Sequence, residues 1–208
     1  MMRRRVGTFL IMLGALLLLG AVGLLAYNQW DDWRAGTMVA EIQDALENAE
    51  DTRSQDKLDP LKVAAAAEEV IDEEMATIEV DGYEYIGTLS ISRYGLELPI
   101  MAEWSYAGLK IAPGRYTGSA WTDNLIICGH NYERHFGNLK NLEAGDAITF
   151  TDVDGNEFYY EVTEVLILQP TAISEMLDQE TIEWDLTLFT CTVGGQTRVT
   201  VRCSRVEE

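Results

Sequence analysis

Three patterns of apolar and polar positions follow one another along the chain. From Val6 to Tyr27 no position carries a charge, and the run is built from Leu, Ala, Gly, Val, Ile and Met. As a helix these residues span roughly 33 Å, enough for the ~30 Å hydrocarbon core of a bilayer. A secretory signal core is usually about 7–15 residues long and ends at a small-residue cleavage site. This run is longer and ends in Tyr27, Asn28, Gln29 and Trp30, so an uncleaved membrane anchor in residues 1–30 is expected. Arg3, Arg4 and Arg5 precede it and Asp31 and Asp32 follow. By the positive-inside rule the N-terminus is expected in the cytoplasm and the rest of the chain outside the membrane.

Residues 31–78 are rich in Ala, Glu, Asp and Gln. Val39, Ile42 and Leu46 recur at spacings of three and four, and Val63, Ala66, Val70 and Ile71 form a second such set. The pattern predicts two amphipathic helices broken near Asp59-Pro60, read as a solvated acidic stalk in preference to helices packed on the following domain or covering its site.

From about Ile78 the period becomes two, and Gly and Asn/Asp turn signals recur. Strands are predicted over Glu84–Ser92, Leu96–Glu103, Asn124–Gly129, Ala147–Thr151, Glu157–Leu168, Leu186–Cys191 and Arg198–Ser204, with a hairpin turn at Val153-Asp154-Gly155-Asn156. Short helices are predicted within Tyr132–Leu142 and Ile173–Leu177. Residues 79–208 therefore read as one mostly-β domain, a closed barrel or a sandwich rather than a parallel α/β sheet.

Charge and cysteine content narrow the function classes. A formal net charge of −20, from 35 Asp+Glu against 15 Lys+Arg, leaves no basic stripe for nucleic acid. Three cysteines cannot make a multi-bridge disulfide framework, and two histidines cannot make a His-rich metal centre. No cofactor is expected. The acidic Asp152–Glu157 loop reads as a solvated turn rather than a cation site.

The chemistry-bearing residues are few. Cys191 ends the run Leu186-Thr187-Leu188-Phe189-Thr190 and precedes the Val193-Gly194-Gly195 loop, an exposed strand end where a thiolate can meet a substrate. Cys128 and Cys203 lie inside apolar strands and read as core residues. His130 stands just past the end of Leu125-Ile126-Ile127-Cys128-Gly129 and is preferred as the base over His135, which falls in the helical-looking stretch. Arg198 opens the last strand, six residues of loop away from Cys191, where it can reach back to a developing oxyanion. Arg202, on the same strand face, is the fallback. Trp104, Tyr106 and Tyr116 read as core or rim packing in preference to the lining of a peptide groove.

These residues resemble the sortases, cysteine transpeptidases of Gram-positive cell surfaces. Ile86-Gly87-Thr88-Leu89-Ser90-Ile91 and Leu96-Glu97-Leu98-Pro99-Ile100 resemble the family's opening strands. Gly129-His130-Asn131, Phe136-Gly137-Asn138-Leu139 and Gly145-Asp146 follow in order, and Thr187-Leu188-Phe189-Thr190-Cys191 is similar to the TLxTC signature, with Arg198 behind it. The resemblance runs from about Ile86 to Val206. It implies a β-barrel of about eight strands, with Cys191 as nucleophile, His130 as acid/base and Arg198 steadying substrate and oxyanion. No hydrophobic span follows Arg205, which favours a class B, class D or unassigned clostridial type. It further implies an LPxTG-like C-terminal sorting signal as substrate, and a peptidoglycan precursor or pilin amine as acceptor. A hydrolytic cysteine peptidase and a non-enzymatic anchored β-domain are the competing readings.

Overall fold

The computed structural model describes residues 2–57, 75–172, 184–192 and 195–207. They fall into two compact units, Met1–Arg34 and Ala35–Glu208. The first unit belongs to a helix, α1 (Met2–Lys57). Leu16, Leu19 and Leu25 are each about two-thirds exposed or more, at 67%, 72% and 69%. Length and apolar composition suit this stretch to crossing a membrane.

In the second unit one face of α1, from Ala35 to Leu46, is packed rather than solvated. Ala35, Val39, Ile42 and Leu46 are all buried. Val39 joins the main core, while Ile42 and Leu46 pack with Tyr85, Met101 and Ala112 in a second cluster. The spacing of three and four seen in the sequence is therefore a packing face. The expected break at Asp59-Pro60 and the second amphipathic set at Val63–Ile71 lie outside the described residues, as does the predicted helix at Ile173–Leu177.

Among the described residues nine strands follow: β1 (Ile78–Val80), β2 (Tyr83–Ile91), β3 (Leu96–Met101), β4 (Gly114–Thr117), β5 (Leu125–Gly129), β6 (Ala147–Asp152), β7 (Glu157–Leu168), β8 (Leu186–Cys191) and β9 (Arg198–Arg205). Eight of them close into a barrel in the order β2-β3-β4-β5-β8-β9-β7-β6, with β6 pairing back onto β2. β1 hangs on the first residues of β2 as a hairpin, through Ile78↔Tyr85 and Val80↔Tyr83. Among the described strands, β3–β4 and β5–β8 are the parallel pairs. The second of these pairs sets two strand C-terminal ends side by side.

Alternation puts Leu89, Ile91, Leu98, Ile100, Leu125, Ile127, Ile148, Phe150, Phe158, Tyr160, Leu188, Val201 and Cys203 into one interior cluster. The 152–156 turn is closed by its own residues. The Asp152 carboxylate accepts from the Asp154 and Asn156 backbone N–H groups, both at 2.9 Å, and Gly155 takes φ +83°. That carboxylate is thus occupied within the turn.

The barrel seam depends on Gly87, where β2 carries a bulge between Tyr85 and Gly87 and meets Asp152 of β6. Its φ is +148°, and a Cβ there would stand 2.0 Å from the Thr151 backbone oxygen. Gly87→Ala should therefore cost about 3 kcal/mol or more, since strained backbone and overpacking add. Denaturant unfolding checks this, and a loss under about 1 kcal/mol would mean the seam yields without penalty.

Candidate active site

The register of three neighbouring strands brings the chemistry-bearing residues together. β5 and β8 run parallel with Cys128 opposite Phe189 and Gly129 opposite Thr190. His130 therefore leaves β5 at the level where Cys191 ends β8. On the other side of β8, Cys191 pairs directly with Arg198, the first residue of β9. Residues opposite one another in an antiparallel pair project to the same face. One further strand over, Leu168 of β7 pairs with Arg198.

That face is the outside of the barrel. Leu125, Ile127, Leu186, Leu188, Val199 and Val201 point inward, so the alternate positions Ile126, Cys128, Phe189 and Cys191 point outward. Ile126, Cys128, Phe189 and Leu109 form a buried cluster of their own, with Trp104, Tyr116 and Leu168 packed against it. Tyr116 stands edge-on to Phe189 at 5.4 Å and stacks on Trp104 at 5.7 Å, and Tyr106 sits edge-on to Trp104 with 78% exposure. An open cavity of about 410 Å³ beside Trp104, Arg115 and Tyr116 extends this surface. The three aromatic residues expected as core or rim packing are the wall of the face that carries Cys191.

The cysteines differ in environment. All three are free thiols; Cys191 is half-buried, Cys128 and Cys203 buried. Cys203 is a core residue as expected, and burial raises its thiol pKa. Cys128 is buried but not in the barrel interior. It lies in the outer cluster beneath Cys191, donates to the Gly114 carbonyl at 3.5 Å, and has a pKa pushed up to about 12, chiefly by burial and further by the charge of Cys191. The alternation Ile126, Cys128, His130 was the available signal for this placement.

The two arginines separate in the same way. One guanidinium nitrogen of Arg198, Nη1, is buried and has no hydrogen-bond partner among the described residues. Arg202 is opposite Thr187, four residues along β9 and so about 13 Å from Arg198. It is 4% exposed, with its guanidinium 4.8 Å over the Trp184 ring. The structure brings Arg198 beside Cys191 and leaves Arg202 away from it.

His130 and His135 part as well. The expected helix over Tyr132–Leu142 is instead a series of turns ending in a short 3-10 helix, Leu139–Asn141. His130 is half-exposed at the end of β5, whereas His135 is 1% exposed. Between their rings lies Tyr132, with ring centroids 5.2 Å from His130 and 5.3 Å from His135.

A model of the sortase domain matches residues 89–206. This chain belongs to the sortase family. The matched span runs from within β2 to the end of β9 and so contains His130, Cys191 and Arg198 of this sortase. Sortase A of Bacillus anthracis is 29% identical over 126 residues, which cover 57% of this chain and 57% of that protein. This sortase thus spans a little over half the length of that curated relative. Among solved structures, sortase C of Streptococcus pneumoniae superposes with a TM-score of 0.57 at 20% identity, covering 82% of this chain and 96% of its own. The sortase D5 transpeptidase of Clostridium perfringens gives 0.54 at 20% identity, covering 82% and 97%. At these identities the likeness is one of fold, and the barrel of this sortase is the sortase barrel.

Proposed function

We propose that this sortase is a membrane-anchored cysteine transpeptidase that cuts an LPxTG-like C-terminal sorting signal and joins the cut protein to an amine of a cell-wall precursor or pilin. The observation that carries the proposal is the pairing of Cys191 with Arg198 at the level where His130 leaves β5. Nucleophile, acid/base and oxyanion donor meet on one outward face, with an aromatic wall suited to an extended peptide.

The steps follow from those positions. The Cys191 thiolate adds to the carbonyl carbon of the signal's Thr, and the oxygen that gains charge is met by the Arg198 guanidinium. His130, as imidazolium, gives its proton to the departing amine as the peptide bond breaks, leaving a thioester on Cys191. The acceptor amine then attacks the thioester carbon and gives a proton to His130, and the new amide leaves as Cys191 regains its negative charge. One amide exchange is thereby divided into two easier steps. Residues 6–27 hold the site at the outer membrane face, where both substrates are found, with Arg3, Arg4 and Arg5 on the cytoplasmic side.

Incubating the full chain in detergent micelles with a labelled LPxTG-type peptide, with and without an amine, tests the proposal. Exchanged product that requires the amine, together with a thioester on Cys191, is expected. Cleaved peptide alone, unchanged by added amine, would make the protein a hydrolytic peptidase. No reaction, with Cys191 alkylated no faster than Cys128 or Cys203, would make it a non-enzymatic domain.

A further inference from the structure

We infer that Tyr132 is a positioning residue for His130, holding the imidazole toward Cys191 by ring contact; the inference rests on the acid/base role proposed for His130. His130 lies beyond the last residue of β5, so the sheet ladder no longer fixes its backbone. Its loop supplies other restraints. The His130 carbonyl accepts from the Phe136 N–H at 3.1 Å, and the Tyr132 carbonyl accepts from the His135 and Gly137 N–H groups at 3.0 and 2.8 Å.

Two glycines allow this return of the chain. A Cβ on Gly129 would stand 2.7 Å from the Phe136 ring, and one on Gly137 would stand 2.7 Å from the Tyr132 carbonyl oxygen. With its carbonyl held twice, the Tyr132 side chain has a fixed origin. Its ring then stands between two imidazoles, at 5.2 Å and 58° to His130 and at 5.3 Å and 65° to His135. Both separations fall in the favourable range for aromatic pairs.

The two contacts differ in kind. His135 is 1% exposed and packed, so it backs the phenol ring from the protein side. His130 is half-exposed, and its imidazole meets the other side of the same phenol ring. Tyr132 passes the rigidity of the buried imidazole to the one that must meet Cys191. The phenol need not touch the substrate, which fits positioning rather than catalysis. An imidazole turned away from the sulfur loses rate steeply, because proton transfer requires a narrow geometry.

The test compares Tyr132→Phe, which keeps the ring, with Tyr132→Met, which keeps apolar volume without a ring, each in the full chain. Tyr132→Gln replaces the Met variant should that one not fold. Peptide exchange gives kcat and KM, and iodoacetamide alkylation of Cys191 at neutral pH gives a readout that needs no peptide. The Met variant should lose about 10-fold to 30-fold in kcat with KM within about twofold. Its Cys191 should alkylate several-fold more slowly, with the Phe variant close to wild type in both. A Met variant with wild-type kcat and alkylation overturns the inference, and so does an equal loss in the Phe variant. If the wild-type chain itself exchanges no peptide, the proposed function fails, and the alkylation arm still decides whether Tyr132 orients His130.

Discussion

Replacing Cys191 with Ala should abolish peptide exchange, by about 10⁴-fold or more, while leaving the barrel folded. A loss of this size is expected because the other thiol on that face among the described residues, Cys128, is buried and held protonated, and removing a nucleophile disables the residues that act with it. The fold should tolerate the change, since Cys191 is half-buried at the last position of β8 and fills no part of the interior cluster. The other thiols supply the internal control. With the Cys128 pKa pushed up to about 12, only roughly one molecule in 10⁴ carries that thiolate at pH 8. Cys203 is fully buried in the core. Iodoacetamide should therefore mark Cys191 alone in the folded protein, and activity should fall in step with the label. Cys203→Ala should keep its activity per folded molecule and cost about 1–2 kcal/mol of stability from the lost core volume. Mass spectrometry of the alkylated protein, read beside the exchange rate, checks both halves. Equal labelling of all three cysteines, or exchange surviving in Cys191→Ala, would remove the nucleophile assignment.

Much of this barrel is legible in the chain because its long strands alternate cleanly. Glu157–Leu168 and Leu186–Cys191 are strands with the bounds that their period of two predicts. β4 escapes such reading: Gly-Arg-Tyr-Thr has no alternation, and it is held by neighbours on both sides, through Met101↔Gly114 and Gly114↔Cys128. The three-residue β1 is too short to show a period. For the helix, the spacing of Val39, Ile42 and Leu46 marks an apolar face but does not say what it meets. Its partners Tyr85, Met101 and Ala112 come from far along the chain, so an acidic composition suggested a solvated stalk where the structure has a docked helix.

The site divides along the same line. Cys191 and Arg198 are separated by one short loop, so their facing positions follow from a hairpin. The neighbourhood of His130 depends on β5 running parallel to β8, a pairing between segments some sixty residues apart that no local pattern contains. Tyr132 was hidden for a different reason. The 132–142 stretch has helical composition, but Gly137 and the backbone bonds to the Tyr132 carbonyl fold it into turns, and only those turns bring two imidazoles to one ring.

Arg198→Ala should lower kcat by about 10²–10³-fold, whereas Arg202→Ala should act mainly on stability. The first expectation follows from the cost of removing one preorganised donor to a developing oxyanion. Arg198 pairs with Cys191 across β8–β9, and its buried guanidinium nitrogen Nη1 has no partner among the described residues. Arg198→Lys should recover only part of the loss, because an ammonium keeps the charge but not the planar fork that can hold two oxygens at once. Arg202 has the same charge in a different setting: opposite Thr187, 4% exposed, and over the Trp184 ring at 4.8 Å. Removing it takes away a desolvated cation–π contact of about 2 kcal/mol and leaves a void beneath Trp184. Thermal unfolding should register that change while exchange per folded molecule stays within a few-fold of wild type. Measuring both variants for kcat and for unfolding midpoint separates the two roles. If Arg202→Ala lost kcat by 10²-fold or more and Arg198→Ala did not, the oxyanion would be met from the middle of β9, and the register argument that pairs Arg198 with Cys191 would not describe the chemistry.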